Sequence, residues 1–187
     1  PKIAKYTSFR KINISTLPCE ANMVIASDDF YILGVLNSKL HLDWVKAQCS
    51  TLEDRIRYTN TNCFETFPFL WKEKSKQGDA IRTFAEGLEN YRVAECLKRK
   101  ISITQFYNQF FNEPTSQLHK LHEQLNKACC ELYGWKYDPN KSYNEELFIL
   151  NQEMFKKEAG FQASLIDHSS GEIIKKLKPK KPTKKAK

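Results

Sequence analysis

Leu33, Leu36, Leu40 and Trp44 stand three, four and four residues apart, a spacing that lines up one face of an α-helix and requires a partner surface to cover it. Ser27, Asp28 and Asp29 lie just before the stripe, where a side-chain oxygen can accept from the free backbone N–H groups and a negative charge meets the positive end of the helix dipole. Ahead of them Met23 to Ala26 is a short apolar run bounded by Asn22 and Ser27, which predicts a buried strand feeding the helix. Residues 1 to 16 read as a loop or strand. After the helix, Arg55-Ile56-Arg57-Tyr58-Thr59 alternates between polar and apolar, so an extended chain sends Arg55, Arg57 and Thr59 to one face and Ile56 and Tyr58 to the other.

Two guanidiniums on one face can each give a pair of parallel hydrogen bonds to the O6 and N7 edge of guanine or to a phosphate. Asn60 and Asn62, which follow at once, are suited to adenine, and Glu53 to accepting from cytosine N4. These residue types also fit a solvated edge strand running into an Asn-rich turn. Phe64, Phe67, Phe69 and Trp71 then crowd around Pro68; such rings can stack on bases, but their first expectation is to seal a core.

The charged stretch Lys72 to Asp79 marks a boundary. Beyond it, Ile81, Phe84, Leu88 and Tyr91 have helical spacing, Thr104 to Phe111 forms a second helical stretch, and Leu118, Leu121, Leu125, Ala128 and Leu132 form a third, with Ser116 placed to cap it and Gly134 to stop it. Tyr143 to Phe155 supplies a fourth. The expected fold class is α+β: a small α/β recognition part over residues 1–71, a mainly α-helical module over 80–160, and a disordered basic tail over 161–187.

The phrase Gly34-Val35-Leu36-Asn37-Ser38-Lys39-Leu40-His41 followed by Trp44, then Arg57-Tyr58-Thr59-Asn60, closing on Thr66-Phe67-Pro68-Phe69, resembles the target-recognition region of single-chain DNA adenine methyltransferases and type IIG restriction-modification enzymes of the MmeI type. Leu70 stands where family members usually have a second proline. Leu121-His122, Leu125-Asn126, Ala128, Tyr133-Gly134-Trp135 and Leu147 to Asn151 resemble the helical carboxy-terminal module of the same enzymes. What the resemblance implies is a DNA-recognition module without catalytic residues. Its partners would be double-stranded DNA and an upstream methyltransferase domain of the same polypeptide, which would bind S-adenosylmethionine, with or without an endonuclease activity. With Pro1 rather than Met at its start, the chain is expected to be the end of a longer one.

The residues agree that catalysis lies elsewhere. Adenine methylation needs an Asn-Pro-Pro-aromatic loop and a glycine-rich turn, and the six glycines, at 34, 78, 87, 134, 160 and 171, are too scattered for one. No cluster of acids with a lysine forms a nuclease motif. The net charge of +8 comes from the eight lysines between 175 and 187; without them 22 basic residues face 22 acidic ones. Basicity therefore describes a tail that can touch phosphates, not the body. No run of the roughly 18 apolar residues a membrane span needs occurs, and the expectation is a cytoplasmic protein without a membrane partner.

Six cysteines without a CxxC pair predict free, mostly buried thiols. His119, His122, Cys129 and Cys130 are the one metal-like grouping, and their place along an apolar stripe favours packing, so no metal site is expected. Two alternatives to DNA recognition stay open: a non-enzymatic helical interaction protein whose lysine tail binds nucleic acid nonspecifically, and a small zinc enzyme if those His and Cys side chains converge.

Overall fold

The structure, a computed structural model, describes residues 3–52, 55–72 and 74–164, with side chains described except at 51, 52 and 159–164. Glu53 and the lysine tail lie outside the described residues. Strand β1 (Ile3–Ala4) is followed by a long irregular segment, then helices α1 (Phe30–Leu36) and α2 (Lys39–Gln48), strands β2 (Thr51–Leu52) and β3 (Arg55–Arg57), and a π-helical turn (Asn60–Phe64). Four helices complete the described chain: α3 (Lys76–Arg99), α4 (Ile103–Phe110), α5 (Gln117–Tyr133) and α6 (Asn144–Ser164). The fold is α+β, mostly helical, with one small antiparallel sheet in the order β1-β3-β2.

Serines start four of these helices. The side chains of Ser38, Ser75, Ser102 and Ser116 accept from the backbone N–H three residues on, and Ser102 completes a capping box with Gln105. Gly134, at φ 79°, ends α5 in the left-handed region where a side chain would be strained.

The single helix expected across Leu33 to Trp44 is two. Asn37 interrupts it: its Nδ2 donates to the Leu33 carbonyl at 2.8 Å and to the Phe9 carbonyl at 3.1 Å, while its Oδ1 accepts from the Phe9 N–H at 3.0 Å. A side chain that ties a distant segment in this way competes with continuing the helix, and Ser38 then caps a new one. Asp29 does cap α1, accepting from the Tyr31 N–H at 2.8 Å. Met23 to Ala26 is also corrected. It is irregular and Val24 is 53% exposed, and it pairs with none of the three described strands. The segment instead lines a cavity of about 720 Å³ between the amino-terminal residues, α1, Ile56 and Tyr58.

The main core runs continuously through both halves of the chain. Tyr31, Val35, Leu40, Trp44 and Phe67 pack with Ile81 and Leu88 of α3, Phe106 of α4, Leu118 and Leu125 of α5, and Leu147 of α6. A smaller cluster of Val45, Ile56, Tyr58 and Cys63 fastens the sheet to α2. Burying side chains of this size stabilises the fold by about 1.5–3 kcal/mol each.

Candidate nucleic-acid interface

β3 is the centre of the sheet. Ile3 lies opposite Arg57 and Ala4 opposite Ile56 on one side; Thr51 lies opposite Ile56 and Leu52 opposite Arg55 on the other. The predicted alternation is present: Ile56 and Tyr58 are buried, while Arg55 and Arg57 are exposed on the opposite face. Arg55 has interactions with its surroundings; the Arg57 guanidinium has no hydrogen bond or ion pair among the described residues, which leaves its donors directed to solvent.

The buried face explains how a three-residue strand is held in place. Tyr58 Oη is 3.0 Å from His41 Nε2, and the Phe9 ring meets both rings edge-on, at 5.8 Å from His41 and 5.4 Å from Tyr58. Burial lowers the His41 pKa to about 3 and raises that of the Tyr58 phenol above its usual range, so His41 is neutral at physiological pH. No charge forms beneath the strand.

The chain leaves β3 through Thr59, still extended at φ −124° and ψ 148°, and enters the π-helical turn. There the Cys63 N–H donates to the Thr59 carbonyl at 3.1 Å and the Glu65 N–H to the Asn60 carbonyl at 2.9 Å. The wider winding turns Cys63 inward, fully buried, and leaves Asn60, Thr61 and Asn62 exposed beside the arginine face. Thr59 departs from the shared face: it is half-buried, with its hydroxyl 3.9 Å from Cys63 Sγ.

Cys63 is joined to Cys49, the residue that closes α2, with a Cα–Cα distance of 6.3 Å, inside the range that a disulfide spans. The expectation of six free thiols is corrected at this pair: β3 runs back antiparallel to β2 and brings the chain to the end of α2, a proximity that linear spacing does not disclose. Cys19, Cys96, Cys129 and Cys130 remain free.

The His and Cys side chains of α5 are engaged separately. His122 Nε2 is 2.9 Å from the Tyr107 hydroxyl, His119 Nδ1 is 3.2 Å from the Phe111 carbonyl, and both Cys129 and Cys130 are buried in the main core. Desolvation raises the Cys129 thiol beyond its ordinary range and Cys130 to about 11. Such thiols stay protonated, whereas a metal ligand is a thiolate.

Three residues outside the predicted set bear directly on the asparagine turn. Trp44 Nε1 donates to Thr66 Oγ1 at 3.2 Å, Thr66 Oγ1 donates to the Asn62 carbonyl at 2.6 Å, and Asn151 Nδ2 donates to the Thr66 carbonyl at 2.7 Å. Thr66 and Asn151 belong to the sequence phrases that carry the resemblance, but their meeting across 85 residues is a property of the fold.

Comparison with known proteins places this geometry in a family context. Residues 3–70 match the family described as MmeI, target recognition domain. DNA methyltransferase A of Bacillus subtilis (strain 168) is 27% identical over 132 residues, which cover 70% of this chain and 14% of that protein. The solved structure of the type IIL restriction-modification enzyme MmeI in complex with DNA matches with a TM-score of 0.56 and 27% identity, over 70% of this chain and 17% of that one. The chain thus spans about a sixth of the length of these relatives.

Proposed function

From the match of residues 3–70 to the MmeI target recognition domain, we propose that this chain is the sequence-specific DNA-recognition module of a restriction-modification type DNA adenine methyltransferase. The observation that carries the reading is the exposed face of β3, where two arginines stand over a buried, neutral His41–Tyr58 support and beside three exposed polar residues of the turn. Arg55, Arg57, Asn60 and Asn62 are the proposed readers of base edges, and Glu53 joins them as an acceptor. Thr59 shapes the entry to the turn. Lys46, exposed in the last turn of α2, is placed to hold a phosphate, which fixes position without selecting sequence.

The catalytic work is proposed to lie upstream in the same polypeptide, with methyl transfer to adenine N6 and any DNA cleavage performed there. The glycines described here do not suit a cofactor cradle. Gly34 is pressed against Ile81 and Ala85 in a helix contact, and Gly134 is a helix stop. S-adenosylmethionine is proposed to bind in the upstream domain. No described helix is long and apolar enough to cross a membrane, and the proposed DNA-recognition role would place the protein in the cytoplasm.

Hydrogen–deuterium exchange with and without duplex DNA tests the proposal. Backbone amides between residues 50 and 66 are expected to gain protection on DNA addition, while those of α4, which packs on α3, are not. Protection confined to the helical module, with residues 50–66 unchanged, would contradict it.

A further inference from the structure

The Asn60–Asn62 turn does not stand on its own strand alone. Its last residue is fixed by Thr66, whose hydroxyl donates to the Asn62 carbonyl at 2.6 Å and accepts from Trp44 Nε1 at 3.2 Å. The Thr66 carbonyl in turn accepts from Asn151 Nδ2 of α6 at 2.7 Å. The next residues are held by other helices: the Tyr133 hydroxyl of α5 donates to the Pro68 carbonyl at 3.0 Å and the Tyr31 hydroxyl of α1 to the Leu70 carbonyl. Phe67, between these anchors, is buried against His41, Trp44 and Tyr133. The carbonyls of residues 66, 68 and 70 are thus each taken by a side chain from a different helix. Such a segment is a rigid mount, and the turn hangs from its first residue.

We infer that Thr66, held between Trp44 of α2 and Asn151 of α6, is a positioning residue that sets the Asn60–Asn62 turn for base readout, and that α6 contributes to specificity through Asn151 without reaching the DNA. The inference rests on the reading of that turn as a DNA-contacting element. Base recognition tolerates little displacement, because a hydrogen bond weakens steeply once its angle or length departs from the optimum. A helix that touches only the mount can therefore change which base is chosen. Thr66 itself is half-buried, and its hydroxyl proton goes to Asn62 while its oxygen accepts from Trp44, so its part is positioning and not contact.

The test uses the intact polypeptide that carries these residues and the duplex that its wild-type form recovers from a randomised pool. Affinity is measured for that duplex, for duplexes altered at each base pair, and for nonspecific DNA, alongside the melting temperature. Asn60→Ala and Asn62→Ala report whether the turn reads bases at all. Thr66→Val keeps the shape and removes the hydroxyl, Thr66→Ser keeps the hydroxyl, and Asn151→Leu removes the link from α6. The expected result is that Thr66→Val and Asn151→Leu lower discrimination by roughly three- to tenfold at the same base pair as the asparagine variants, with nonspecific affinity unchanged and Thr66→Ser close to wild type. If the asparagine variants shift discrimination while Thr66→Val and Asn151→Leu do not, the positioning role is wrong and the reading of the turn stands. If Thr66→Val only lowers the melting temperature and weakens all duplexes alike, Thr66 is structural and the inference is overturned. If the asparagine variants leave discrimination unchanged, the turn is not a reader and the inference falls with it.

Discussion

His41 and His122 are the residues through which acidity reaches this fold. Both are buried, and burial lowers each pKa to about 3, with the positive charge of Arg92 adding to the effect at His122. In the unfolded chain they return to about 6.5. Between those values the unfolded chain takes up protons that the folded chain refuses, so the stability these groups allow is complete above pH 6.5 and declines as the pH falls below it. The loss is about 1.4 kcal/mol per pH unit per histidine. Asp29 is held below the ordinary carboxylate range by its hydrogen bonds with Arg82, and the stability it lends is lost only at still lower pH. Chemical denaturation between pH 7 and pH 5 should therefore show a steep loss of stability, about half of it removed by His122→Gln. A stability that is flat over that interval would mean that the histidines are not buried neutral. At this scale the sequence discloses part of the site. Alternation alone places Arg55 and Arg57 opposite Ile56 and Tyr58, as the structure has them. It does not reach Thr59, because the π-helical turn begins there and changes the direction of the chain, nor the Cys49–Cys63 pair, which depends on the path between them.

At the scale of elements, α1 packs so closely on α3 that the contact has room for a glycine only. A Cβ at Gly34 would lie 2.5 Å from Ile81 Cγ2 and 3.1 Å from Ala85 Cβ. Alanine ordinarily favours a helix interior by about 1 kcal/mol over glycine, but Ile81 is branched at Cβ and fully buried, so it cannot turn aside and one of the helices must shift. Gly34→Ala should destabilise the protein by about 1–3 kcal/mol, read as a lower melting temperature; an unchanged or raised one would mean the contact is looser than described. The helical elements were the most legible part of the sequence. Ser116 and Gly134 bound α5 as their residue types predict, because caps are local. The break between α1 and α2 was not legible: the Leu33 to Trp44 stripe continues through it, and Asn37 becomes a breaker only when the distant Phe9 backbone arrives to bond it. Long-range partners also decide the fate of Met23 to Ala26, whose composition suits a strand but which pairs with no described strand and lines the cavity beside α1.

The whole molecule is a small sheet mounted on a helical core, and the exposed face of that sheet is the proposed reading surface. Arg92 of α3 is fully buried and donates to the Phe9 carbonyl at 2.9 Å, to Ser8 Oγ at 2.9 Å and to the Tyr107 hydroxyl at 2.9 Å; through Phe9 the helices also reach Tyr58 and the underside of β3. A buried guanidinium with this many partners fixes one geometry, since removing any of them leaves a desolvated donor. Rigid support of this kind is what base readout requires, and it connects the helical module to recognition. Arg57, exposed on β3, is the proposed reader of a base. The most direct measurement is the selection of bound duplexes from a randomised pool by the intact polypeptide, wild type against Arg57→Ala. A lost bidentate base contact forfeits about 1–3 kcal/mol of discrimination, so the mutant is expected to stay folded, retain nonspecific DNA affinity and accept other bases at one position of the selected site. An Arg57→Ala protein that is folded and still selects the wild-type sequence at every position would contradict the account.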